Sequence, residues 1–242
     1  MIETSARERI VRAAAALLAD GGREAVTTRA VSRAAGVQAP TIYRQFGDMR
    51  GLLDAAASYG FAAFLHAQAA PEPAADPVDD LRRGWDLHVR FGVTNPAFHT
   101  LMYGEPRPGQ RPTAARVAAD IFRQLVVRVA EAGRLRVNVD PAAEMMHAAS
   151  CGVTLTLIQG GDPALSTATR EAMVAAVCAD SPAARAVRPP DRPLRYAVAL
   201  RAALPEVADD LTDAERALLG EWLDRIARHD RSSTTEPLAS RA

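Results

Sequence analysis

The chain has 242 residues, enough for a small domain and one larger one, and its 29 cations balance 29 carboxylates. A formal charge of zero excludes a nonspecific nucleic-acid coat. The charge is unevenly spread, because residues 1–50 hold eight Arg against five carboxylates and so carry +3, leaving −3 for the rest.

Every cation is Arg, and beside so much Ala the absence of Lys reads as codon bias in a GC-rich genome. No run of about 18 uninterrupted apolar residues occurs, and the first residues lack a basic-then-apolar leader pattern. The expectation is a cytoplasmic protein with no membrane partner. Cys151 and Cys178 fall in predicted helices, and a disulfide between them is not expected in that compartment. Redox sensing by either thiol is a minor alternative.

Ser5 and Glu8 form a capping box for a first helix, with Ile10, Ala14, Leu17 and Leu18 on one face and Gly21-Gly22 as its stop. Thr27 or Thr28 can cap a second, short helix whose inward face is Val31, Ala34 and Ala35. Gly36 supplies a left-handed stop, and Pro40 sits where a first-turn residue tolerates a missing N–H, so a third helix starts near Ala39. Gly47 ends it after two turns, and Asp48 can cap the next. Two short helices across a glycine turn make the geometry that places a helix in the DNA major groove.

The third helix exposes Gln38, Thr41, Tyr43, Arg44 and Gln45, while Ile42 and Phe46 repeat at i, i+4 toward the core. Gln and Arg make bidentate contacts to base edges, and a Thr methyl can meet a thymine methyl. Thr and Tyr hydroxyls, with Arg50, suit phosphate oxygens. Any small helical hairpin also shows a polar outer face, so the pattern of types needs the particular residues beside it.

Those residues resemble the head of the TetR family of bacterial repressors. Thr27, Thr28, Arg29, Ala35, Gly36, Val37, Thr41, Tyr43, Phe46 and Leu53 stand at matching places, and Val31 and Ile42 are conservative replacements. Two departures stand out: Gln45 replaces the family's common His before the Phe, and Arg50 replaces its Lys. Both keep a phosphate-capable donor. The resemblance covers residues 5–53 and implies a set of DNA-binding positions at Thr27, Thr28, Arg29, Gln38, Ala39, Pro40, Thr41, Tyr43, Arg44, Gln45 and Arg50.

The remainder reads as helices. One runs from about Asp48 to Ala69, followed by segments near 78–94, 97–103, 113–133, 141–159, 163–179, 194–204 and 212–229. The loop GEPRPGQRP and the connector SPAARAVRPPDRP are too rich in Pro to be helical. No alternating-period strand and no internal repeat emerges. The expected fold is all-α: a three-helix helix-turn-helix head over 1–50, a larger helical regulatory and dimerisation domain over 51–229, and a disordered tail over 230–242.

Residues 144–159 are apolar nearly all round, which means burial on more than one side, either inside the domain or against a second copy. In TetR-like proteins the late helices form a four-helix dimer seam. The resemblance therefore favours a homodimer through 141–160 and 163–179, with Ala148, Ala149 and Gly152 allowing close approach. It also implies a small apolar or partly polar organic effector among the middle helices. The candidate lining is Phe61, Phe64, Leu65, Trp85, His88, Met102, Tyr103, Phe122, Met146 and His147, each of which an ordinary core would also use.

No paired His spacing points to a metal, no cofactor is implied, and no hydrolase, P-loop, dinucleotide or zinc-protease motif is present, so no catalytic residue is assigned. The reading is a regulator that binds a palindromic operator in double-stranded DNA and leaves it when the effector binds. Its alternatives are a ligand-free architectural DNA binder and an all-α enzyme with an unrecognised site.

Overall fold

Glycine stops and side-chain caps cut the first fifty residues into short helices. In a computed structural model of the chain, which describes residues 5–68, 72–105, 108–179, 192–205 and 211–229, these are α1 (Ala6–Ala25), α2 (Thr28–Ala35) and α3 (Ala39–Phe46). Eight further helices follow: α4 (Met49–Ala67), α5 (Pro77–Thr94), α6 (Pro96–Tyr103), α7 (Thr113–Glu131), α8 (Val139–Ile158), α9 (Ala164–Val177), α10 (Arg192–Ala203) and α11 (Asp213–His229). The fold is all-α. Among the described residues, extended pairing is confined to one isolated bridge between Leu135 and Cys178. The tail expected over 230–242 and most of the 181–193 connector lie outside the described residues.

The caps act as their chemistry dictates. The Ser5 hydroxyl accepts the Glu8 N–H at 3.2 Å, and the Glu8 carboxylate accepts the Ser5 N–H at 3.1 Å. Thr27, not Thr28, caps α2 by accepting the Ala30 N–H at 3.2 Å. Gly36 ends α2 at φ +63°, and Asp48 caps α4 by accepting the Gly51 N–H at 2.8 Å.

Gly22, at φ 67°, breaks the regular helix at the Gly21-Gly22 pair as expected, and Arg23, Glu24 and Ala25 add one short turn beyond it. One expectation needs correction. Ala34 is exposed; a two-turn helix has room for one narrow inward stripe, which Val31 and Ala35 fill.

The chain forms two compact units, the first comprising Met1–Glu72, Trp85–Asp120 and Ala149–Thr167. Its head buries Ile10, Ala14, Leu18, Val26, Val31, Ile42 and Leu52 against one another, with α1 packed on α2, α3 and α4. Further along α4, the Phe61 and Phe64 rings lie 4.9 and 5.1 Å from that of Phe91. Trp85 is fully buried and donates its indole N–H to Ser166 Oγ at 3.0 Å.

The second unit comprises Pro73–Gly84, Ile121–Ala148 and Ala168–Ala242. Its polar centre is buried Asp80, which pairs with Arg83 at 3.1 Å and Arg128 at 2.8 Å and accepts the Ala74 N–H. Nearby Arg134, also buried, donates to Asp76 at 2.7 Å and to the Ala179 carbonyl at 2.9 Å. Arg82 holds Glu171 and Asp79. Helices α10 and α11 pack together and leave Tyr196, Leu200, Leu218, Trp222 and Ile226 exposed.

The apolar helix α8 buries Ala142, Ala143, Met146, His147, Ser150, Val153 and Thr154. Its other side is open: Met145, Ala148, Gly152 and Thr156 are exposed at helical spacing. A Cβ on Gly152 would meet nothing within 4 Å.

Desolvation pushes the Asp76 carboxyl up, but the Arg134 and Val78 hydrogen bonds and the neighbouring guanidinium charges outweigh it and hold the group below its ordinary range. A depressed carboxyl contributes stability above its ordinary titration range and loses it as pH falls through the folded value. Arg134→Ala should therefore cost the second unit about 1–2 kcal/mol at pH 7, since it removes the partner of a partly exposed carboxylate and of the Ala179 carbonyl. Urea unfolding followed at pH 7 and again at pH 3 should find the penalty smaller in acid.

Candidate nucleic-acid interface

Helices α2 and α3 are joined by Gly36, Val37 and Gln38, a turn short enough to cross them closely. On α3 the side chains of Gln38, Pro40, Tyr43, Arg44 and Gln45 are exposed, Ala39 and Thr41 are half-buried, and Ile42 is fully buried. Arg29 and Thr27 are exposed on α2 and its cap, while Thr28 is half-buried. Phe46 is half-buried beneath the Arg7 guanidinium, which sits 5.0 Å from the ring centre.

The two helices are tied by chemistry as well as packing. The Thr28 and Tyr43 hydroxyls are hydrogen-bonded at 3.0 Å, and Thr28 also donates to the Met49 sulfur at 3.4 Å. Tyr43 is thus held by a partner on α2 while its ring remains exposed. Arg9 of α1 donates to the Ala35 carbonyl at 3.3 Å and closes the end of α2. Arg50 lies in the first turn of α4, and its guanidinium donates to Gln110 Oε1 at 2.8 Å.

Residue-type reasoning missed Gly51. A Cβ there would overlap the Phe46 carbonyl oxygen, so the end of α3 rests directly on the first turn of α4. The available signal was a glycine inside an otherwise helical pattern, which marks close backbone approach.

The expected effector residues fall into separate groups. In the first unit, Phe61 and Phe64 meet Phe91, with Leu65 half-buried beside them in sequence. His88 lies 5.5 Å from the His99 ring, 5.7 Å from that of Tyr103, and 3.7 Å from the Cys151 sulfur. Trp85 and Met102 are buried in the same unit. In the second unit, Phe122 and His147 face each other at 5.7 Å and Met146 is fully buried.

A half-open cleft of about 530 Å³ in the first unit is lined by none of these residues. It is formed by the end of α1, the first two turns of α4, the end of α6 and the segment before α7.

Burial pushes the Cys151 thiol up to about 12 and the Cys178 thiol to about 11. Burial also raises the Tyr103 hydroxyl. Both thiols are therefore protonated at neutral pH, which is the wrong state for a redox sensor. Among the described residues no three His, Cys, Asp or Glu side chains converge as a metal-ligand group, and no helix is long and apolar enough to cross a membrane.

Residues 10–56 match the family model of bacterial regulatory proteins, tetR family. No curated protein matches the chain. Among solved structures it is similar to RolR bound to resorcinol (20% identity, TM-score 0.59, covering 76% of this chain and 94% of that one). It is similar to a protein of unknown function from Rhodococcus sp. RHA1 (22% identity, TM-score 0.57, 73% and 97% covered). It is also similar to a TetR transcriptional regulator from Streptomyces coelicolor (17% identity, TM-score 0.52, 94% and 90% covered). At these identities the likeness is one of fold.

Gly51→Ala should prise α3 from α4, destabilise the head by about 1–3 kcal/mol, and weaken DNA binding beyond that loss of stability. Denaturant midpoints and DNA titrations on the same variant separate the two effects. Iodoacetamide at pH 8 should modify Cys151 and Cys178 at least about a hundredfold more slowly in the folded chain than in urea, read by mass spectrometry.

Proposed function

The head of this chain belongs to the tetR family of bacterial regulatory proteins, and we propose that the protein is a transcriptional repressor that binds a near-palindromic operator as a homodimer and is released by a small organic effector. The observation that carries the reading is the two-turn helix α3, which follows a left-handed glycine and offers Gln38, Tyr43, Arg44 and Gln45 to solvent. In this reading Gln38, Thr41 and Arg44 read base edges, and Thr27, Thr28, Arg29, Tyr43, Gln45 and Arg50 position the head on phosphate, with the Ala39-Pro40 backbone approaching the groove. The protein acts in the cytoplasm.

A head of +3 with a two-turn reading helix contacts few base pairs, so specificity calls for two copies. Twofold symmetry sets equivalent helices about 34 Å apart, one turn of DNA. The exposed stripe of Met145, Ala148 and Gly152 on α8 supports a seam through 141–160, and exposed Leu165 and Ala168 on α9 support its extension through 163–179. An effector that is small and partly polar, as resorcinol is in RolR, suits the aromatic and His side chains of the middle helices. Of the candidate residues, the seven of the first unit, Phe61, Phe64, Leu65, Trp85, His88, Met102 and Tyr103, remain its proposed lining. Operator and effector prefer different head spacings, so each weakens the other by one common factor.

The test is a set of operator titrations. Arg44→Ala, Gln38→Ala and Thr41→Ala should change relative affinities among mutated operators, whereas Tyr43→Phe and Arg50→Ala should weaken every sequence about equally and lower the salt slope. Gly152→Leu should yield monomers in sedimentation with the head still folded. A wild-type monomer at micromolar concentration would overturn the dimer, and unchanged relative affinities in all three base-reading variants would overturn the reading helix.

A further inference from the structure

We propose that the cleft at the base of α4 is a binding site for a small carboxylate with an apolar body, separate from the effector residues of the middle helices. Three guanidiniums line it: Arg23 from the end of α1, Arg50 from α4, and Arg111 from the segment before α7. Among the described residues neither the Arg23 nor the Arg111 guanidinium has a hydrogen-bond or ion-pair partner, and Arg50 spends one donor on Gln110. A guanidinium carries five N–H donors, so most of the donor capacity here is unspent.

The acceptors on the same walls are largely spent. Both oxygens of Asp54 are taken, one by the Thr113 N–H at 2.8 Å and one by its hydroxyl at 2.7 Å. Asp48 Oδ1 accepts the Gly51 N–H. Glu105, the third carboxylate on the walls, also makes an interaction of its own. The three guanidiniums and three carboxylates of the walls balance in formal charge, so the preference rests on local pairing: the unspent donors take acceptors, and a guanidinium pairs most strongly with an anionic one.

The floor decides the rest of the ligand. Leu53, Ala57, Leu101 and Pro112 are apolar, so a bare inorganic anion would leave that surface wet. At about 530 Å³ the cleft falls within the size range of small-molecule sites. A carboxylate head between the guanidiniums with a phenyl- or alkyl-sized body on the floor uses both halves.

The site also has a route to the operator, and this part rests on the reading of Arg50 as a phosphate contact. The Arg50–Gln110 hydrogen bond already draws that side chain toward the segment before α7. A bound carboxylate shares Arg50 with the DNA backbone, and by linkage each ligand weakens the other equally.

The test uses the full chain without DNA, titrated calorimetrically with benzoate, phenylacetate and hexanoate, with benzamide and inorganic phosphate as controls. At least one carboxylate should bind saturably in the millimolar range or tighter, and the Arg23→Gln, Arg111→Gln double variant, neither residue being among the DNA contacts, should lose about tenfold or more in affinity while keeping its circular dichroism. Benzamide or phosphate binding as tightly as the carboxylates, unchanged binding by the double variant, or no carboxylate binding below about 10 mM would each overturn the site. Because this readout involves no DNA, it stands or falls apart from the repressor assignment. A carboxylate that binds but leaves DNA affinity unaltered would overturn the route through Arg50 alone.

Discussion

The joint between α3 and α4 is the constraint on which the head depends. Gly47 turns the chain at φ +77°, Asp48 caps the new helix through the Gly51 N–H, and Gly51 itself makes room for the Phe46 carbonyl. Three neighbouring requirements, one for left-handed backbone, one for a short acceptor and one for no side chain, fix the direction of α3 relative to the nineteen-residue α4. The Thr28–Tyr43 hydrogen bond then sets α2 against the same frame. Only Gly47 and Asp48 separate α3 from α4.

The α4 helix is also where the two proposed ligand regions of the first unit meet the head. Its first turns carry Arg50 and the cleft wall, and its later turns carry Phe61 and Phe64 onto Phe91. The cluster of His88, His99, Tyr103 and Cys151 lies in the same unit, its two His buried and its Tyr103 and Cys151 half-buried, with burial raising the thiol.

Legibility followed the range of the interactions. Capping boxes, glycine stops and helix faces are written within four or five residues, and Ser5, Gly36, Asp48 and Ile42 did in three dimensions what their neighbours implied. The Arg50–Gln110 and Asp54–Thr113 bonds join residues about sixty positions apart and have no local signature. The cleft they help to shape has no local signature for that reason, and its walls mix Arg and carboxylate side chains with an apolar floor that holds no aromatic or Met residue. Phe61, Trp85 and Met146 illustrate the converse: buried apolar side chains read the same whether they line a ligand site or simply fill a core.

The two tryptophans divide cleanly between the units. Trp85 belongs to the first, fully enclosed and hydrogen-bonded to Ser166, while Trp222 belongs to the second and has half its surface in solvent. An indole in a dry, rigid setting emits at shorter wavelength and is shielded from quenchers, and one in water emits further to the red and is quenched readily. The protein therefore carries its own pair of optical labels, one per unit, so that acrylamide silences the second and leaves the first to report on what happens beside α5 and α9.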